Sequence, residues 1–151
     1  MGQSLVPLLI EHGHNVRCLS QSVLEHEHRD NFAHEDLVSF NMEDPSALRQ
    51  ALVGVDTIVH LASAQCHGGW KQLMEVDYKG TRQLLAAAKE MGIRRFVYPS
   101  HLGSGRSSAY PILKTKGVVE EFVRKSGVPF TIIRSAAIFG SNDQFTNTLA
   151  L

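Results

Sequence analysis

GVDTIVHLAS, residues 54–63, decides the fold. Asp56 to Ala62 is β-branched and nearly uninterrupted in its apolar character, so both faces require cover, as strands of a parallel sheet do. Upstream, SLVPLLIEH (Ser4 to His12) reads as a short helix stopped by Gly13, with Pro7 in its first turns, where proline costs least. Asn15 to Leu19 reads as a strand, Ser20 to His34 as polar loop or weak helix, and Asp36 to Phe40 as a second strand. Asp44 caps and Pro45 opens a helix that sets Leu48, Ala51 and Leu52 on one face and ends at Gly54. Downstream, a loop over Gln65 to Gly69 leads into a long helix from Trp70 to Met91. It carries Met74, Tyr78, Thr81, Leu84, Leu85 and Ala88 in register and closes at Gly92. Arg95 to Pro99 is the next strand and His101 to Ser108 a glycine–serine loop. Tyr110 to Lys125 is a helix with Ile112, Val119, Phe122 and Val123 facing inward. Phe130 to Arg134 is the last strand, and Ser141 to Leu151 opens a further element. Strands alternating with helices predict right-handed crossovers, a parallel sheet and a single α/β domain over 1–151.

The 151 residues are 43% apolar and 20% charged, with no net charge, an ordinary balance for a soluble domain with a core. A nucleic-acid binder carries a basic surplus, so that class of partner is not expected. No apolar run approaches the roughly 18 residues that span a bilayer, and Leu5 to Ile10 is short for a secretion signal, so no membrane is expected. Met1-Gly2 matches the start of a myristoylation signal, but Val6 stands where serine or threonine is needed. The two cysteines, Cys18 and Cys66, make no disulfide framework and imply a reducing, cytoplasmic compartment, with Cys18 a buried small hydrophobe. The eight histidines show no i, i+4 pair on a helix and no cysteine at ligand spacing, so no metal site is expected.

GVDTIVHLAS (54–63), VDYKGTRQLLAAAKEMGIRRFVYPS (76–100) and TIIRSAAIFG (131–140) together resemble the extended and atypical short-chain dehydrogenase/reductases. SHLGSGRSSAYPILKTKGVVEEFVRKSGVPFTIIRSAAIFGSNDQF (100–145) is similar to the NmrA-like branch, beside the NAD-dependent epimerase/dehydratases and the reductases related to complex I accessory subunits. The resemblance implies a Rossmann-like, doubly wound sheet of order 3-2-1-4-5-6-7 that binds NADP or NAD across the carboxyl ends of its strands. Such a domain opens on a hydrophobic strand and a glycine-rich phosphate loop. This chain begins at Met1-Gly2, directly before a helix. The implied register starts after strand 1, with Gly2 as the last glycine of the fingerprint and the strands answering to numbers 2 to 6. The expectation is a fragment without strand 1 and without the C-terminal substrate region. It leaves a slot between two apolar edges and weak or no NADPH binding by these residues alone.

Site residues follow from the same resemblance. Gln21 stands where an arginine reads the NADP phosphate or an acid reads the NAD ribose, which leaves cofactor preference open. Arg17 is a cation nearby that could contribute but, on a strand, reads as structural. Asn41 and Met42 match an adenine-contacting pair. Leu61, Ala62 and Ser63 match the turn beneath the adenosine ribose and pyrophosphate, where small residues let backbone approach the ligand. Arg134, Ser135 and Ala136 match the segment against the nicotinamide. Asp77 replaces an asparagine common in the extended family. The family's chemistry uses a tyrosine as acid/base, a lysine to stabilise its phenolate and a serine to orient the substrate oxygen. A free phenol titrates near about 10, so the cation is needed. Ser100, Tyr110 and Lys114 match, the last two at Y-x-x-x-K spacing, which sets both on one helical face. Pro111 puts Tyr110 at the helix cap. An alternative register makes Lys116 the family lysine, and Ile112 then occupies the tyrosine position. The implied functions are hydride transfer between NAD(P)(H) and a small carbonyl or sugar-like substrate, or a non-catalytic NAD(P)-sensing or assembly module with a regulatory protein partner.

Overall fold

The computed structural model describes residues 1–20, 36–39, 44–64 and 69–140. Gln21, Asn41, Met42 and Cys66 lie outside the described residues, as do the stretch from Gln21 to His34, most of the loop at Gln65 to Gly69, and Ser141 to Leu151. In chain order the elements are α1 (Gly2–Glu11), β1 (Arg17–Ser20), β2 (Asp36–Ser39), α2 (Pro45–Ala51) and β3 (Thr57–Val59). A continuous helical rod follows, made of α3 (Trp70–Gln72), a π-helical stretch (Leu73–Gly80) and α4 (Thr81–Glu90). Then come β4 (Arg95–His101), α5 (Pro111–Lys125) and β5 (Phe130–Ser135).

Local chemistry sets the helix ends. The Asp44 carboxylate accepts from the Ser46 amide at 2.8 Å and the Ser46 hydroxyl at 2.6 Å, and Pro45 supplies the first helical φ of α2. Those two Ser46 hydrogen bonds hold the Asp44 carboxyl below its ordinary range. Gly54 (φ 74) and Gly92 (φ 69) adopt the left-handed conformation that lets the chain leave α2 and the rod.

Every strand pair is parallel, as predicted. β1 pairs with β2 from Arg17↔Asp36 to Ser20↔Ser39. β3, β4 and β5 form a second ladder through Ile58↔Phe96 and Phe96↔Phe130. Among the described residues no ladder bond joins β1 to β3, so each keeps one open edge. The Arg17 guanidinium reaches the carbonyls of Ala51 and Val53, both at 2.9 Å, and ties β1 to the end of α2. Leu48 of α2, Leu84 and Leu85 of α4, Phe96 of β4, and Val119 and Val123 of α5 form one core. Each such side chain contributes about 1.5–3 kcal/mol on burial.

The structure corrects several expected boundaries. β3 spans Thr57–Val59, not Asp56 to Ala62. His60 still donates its amide to the Val97 carbonyl at 2.9 Å, but the chain then leaves the ladder and Ala64 donates to a side chain instead. β4 runs on to His101 because β5 stays paired with it as far as Ser135. α1 begins at Gly2 and β1 at Arg17. Cys18, on a strand with an open edge, is only half-buried. In the rod, Met74 and Tyr78 are half-buried, and the buried line runs through Leu73, Asp77, Gly80 and Thr81. Ile112 of α5 is half-buried as well. No described helix is long and apolar enough to cross a membrane.

Candidate functional site

The carboxyl end of β3 opens into a turn, Leu61 to Ala64, with Ala62 exposed to solvent. The first turn of α1 stands beside it. A Cβ built on Gly2 would sit 3.6 Å from Leu61 Cδ1, an ordinary contact, so Gly2 and Leu61 are brought together. This sets the first turn of a helix beside a strand end that carries the small residues Ala62 and Ser63, a combination suited to an anionic dinucleotide.

One buried acid underlies this turn. Asp77, 1% exposed, accepts from the Ser63 hydroxyl at 2.7 Å and the Ala64 amide at 2.9 Å. The Lys116 ammonium lies 3.2 Å from the same carboxylate and 5.1 Å from the centroid of the Tyr98 ring. Lys116 is 4% exposed, and a buried ammonium needs such partners. Burial, with the Asp77 and Glu120 carboxylates nearby, pushes the Tyr98 phenol well above its ordinary range, and among the described residues its hydroxyl has no hydrogen-bond partner. His60 stacks on Tyr98 and shares a 2.8 Å hydrogen bond with Thr81. Burial, then the Lys116 charge, lower its pKa to about 4, against a smaller opposing pull from Asp77.

A second network lies between β4, α5 and β5. The Ser100 hydroxyl donates to Glu120 Oε1 at 2.7 Å. Arg134 grips the same carboxylate through two nitrogens at 2.9 and 2.6 Å, and Arg124 adds a third at 2.7 Å. Burial alone would raise the Glu120 pKa, but hydrogen bonds from Arg134, Ser100 and Arg124 hold it at about 2. Ser135 donates to the Ser100 carbonyl at 3.4 Å, and Ala136 is exposed beyond the strand. Arg134 and Ser100 thus meet on one carboxylate.

Tyr110 caps α5 with extended backbone and is 69% exposed. Lys114 is exposed one turn later, its amide bonded to the Tyr110 carbonyl. Among the described residues no side-chain hydrogen bond joins Ser100, Tyr110 and Lys114 to one another. The inward lysine of α5 is Lys116. A signal for it was present, because Lys116 shares the i, i+3, i+7 face with Val119 and Val123. Glu120 lies on that face too, and sequence reasoning missed it. The loop before α5 is pinned to it: Gly105 donates its amide to the Leu113 carbonyl at 3.2 Å, and a Cβ on Gly117 would fall 2.6 Å from the Gly105 backbone.

The sequence profile of the NAD(P)H-binding family matches residues 1–149. The chain is 28% identical over 139 residues to the photosystem II assembly factor Ycf39 of Cyanophora paradoxa, covering 92% of this chain and 43% of that protein. It is 28% identical over 113 residues to NADH dehydrogenase (ubiquinone) 1 alpha subcomplex subunit 9, mitochondrial, of Mus musculus, covering 75% and 30%. It is similar in fold to the Bordetella bronchiseptica enzyme WbmH, solved in complex with NAD+, with a TM-score of 0.76 and 22% identity over 92% of this chain and 53% of that one. The chain spans less than half the length of these two sequence relatives.

Proposed function

Because the chain belongs to the NAD(P)H-binding family, within the NmrA-like and epimerase/dehydratase group of short-chain dehydrogenase/reductases, we propose that it binds a nicotinamide dinucleotide at the carboxyl ends of β3 and β4 as a sensing or assembly module. The pyrophosphate side would rest on the first turn of α1 at Gly2 and on Leu61, Ala62 and Ser63. The bound group would supply hydride chemistry in any catalytic relative. Here the residues at hand bind and orient it, and Lys116 lies beneath the turn.

One observation carries the preference for a non-catalytic role. The three residues matched to the family's acid/base machinery do not assemble: Ser100 is engaged by Glu120, while Tyr110 and Lys114 point to solvent. Ile112 precedes the buried lysine by four residues and has no proton to move. The similarity to an assembly factor supports the same preference.

Saturation-transfer NMR detects weak complexes and suits the test. NADH or NADPH should receive saturation from the chain, and Ala62→Trp, which fills the turn, should abolish the transfer. No transfer to either cofactor refutes the reading. Turnover of NADPH with any small carbonyl or nucleotide sugar, lost in Tyr110→Phe while binding persists, establishes a reductase instead.

A further inference from the structure

We propose that Asp77 is a positioning residue that couples the turn after β3 to the Lys116 cation, so that a ligand seated on the turn is felt at Lys116. This rests on the dinucleotide site proposed above. The carboxylate is fully used. One oxygen accepts from the Ser63 hydroxyl and lies 3.2 Å from Lys116, and the other accepts from the Ala64 amide. A purely structural ion pair would need only its lysine, yet this acid also holds the backbone that leaves β3. Its own place in the chain adds a second observation. Asp77 lies within the π-helical stretch Leu73–Gly80, and π-helical turns are uncommon and recur at functional positions. Lys116 in turn lies between Asp77 and the face of Tyr98. Withdrawing the carboxylate strands a buried ammonium, and withdrawing the lysine strands a buried carboxylate, so neither end moves independently.

Amide hydrogen exchange on the full chain tests the coupling. Lys116→Met should speed exchange at Ala64 by about tenfold or more, beyond any rise at the core amides of Phe96 and Val123. Lys116→Arg keeps the cation and should restore protection. Adding Lys116→Met to Asp77→Asn should produce no further rise, because the two act through one link. Ser63→Ala approaches from the opposite end and should shift the Lys116 side-chain NMR resonances more than those of the core residues Phe96 and Val123. Ala64 exchange that rises only in step with Phe96, or Lys116 resonances unmoved by Ser63→Ala, overturns the coupling. Coupling that appears without saturation transfer to NADH or NADPH overturns the dinucleotide site and leaves the link between turn and lysine standing.

Discussion

Lowering the pH from about 7.5 to about 5 should cost this fold about 2 kcal/mol through a single ring. His60 is 6% exposed, its centroid 5.8 Å from that of Phe96 and 6.1 Å from that of Tyr98. Burial first, and the Lys116 charge second, bring its pKa from 6.5 to about 4. The native ring stays neutral while the unfolded one takes a proton below about 6.5. Between those values the unfolded state binds more protons, so stability is full above pH 6.5 and falls as the pH drops toward 4. The difference of about 2.5 units, at about 1.4 kcal/mol per unit, is worth on the order of 3 kcal/mol, most of it lost by about pH 5. Urea unfolding of the parent and of His60→Gln at both pH values reads this directly. The variant keeps an amide for Thr81 but cannot titrate, so the parent should lose about 2 kcal/mol more than the variant. His101 is also lowered, by burial and then by Lys116, and its share cancels in the comparison. Equal losses in parent and variant, or a His60 NMR midpoint at or above 6.5, would refute the argument.

Gly117→Ala should destabilise the fold by about 1–3 kcal/mol in thermal melts. Helix propensity favours alanine by about 1 kcal/mol, but the added carbon falls 2.6 Å from the Gly105 backbone; a variant as stable as the parent would show that the loop yields. Glu120→Gln should cost on the order of 3 kcal/mol at neutral pH, because two guanidinium groups lose their carboxylate. Stability from Glu120 is present above its ordinary pKa of 4.5 and lost as the pH falls through about 2, so acid unfolding of the variant should show a shallower dependence in that window. Arg94→Ala breaks an exposed pair with Asp56 and should change stability by less than about 1 kcal/mol in urea titrations.

The parts of this fold that depend on near neighbours in sequence were legible. Asp44-Pro45 announces α2, Gly54 and Gly92 announce helix exits, and the run around Ile58 announces a strand of a parallel sheet, although only Ile58 of β3 is buried. The inner face of the rod was misread because its central residue is an acid. A hydrophobic pattern takes Met74 and Tyr78 as the core line, whereas Asp77 is buried because Lys116, distant in sequence, arrives to meet it. The choice between Lys114 and Lys116 has the same origin. Spacing from Tyr110 points to the first, whereas the face shared with Val119 and Val123 turns the second inward, and only the helix's neighbours show which lysine is buried. The end of β3 was overextended for a related reason. Leu61 and Ala62 have strand-like character, yet Asp77 supplies the hydrogen bond that turns the Ala64 amide away from the ladder. The chemistry of Glu120 depends on Arg134 and Ser100 arriving from two different strands, which no local pattern encodes.

The interruption between β1 and β3 has a consequence for how the molecule opens. Cooperativity in a parallel sheet spreads through shared main-chain bonds, and among the described residues none runs between the two ribbons. The Arg17 fork onto the carbonyls of Ala51, the last residue of α2, and Val53 just beyond it is a side-chain tether across the break. Two tiers of opening follow: the Arg17–Ser20 ribbon with its partner detaches at low energy, while Phe96 and its neighbours yield only when the whole domain unravels.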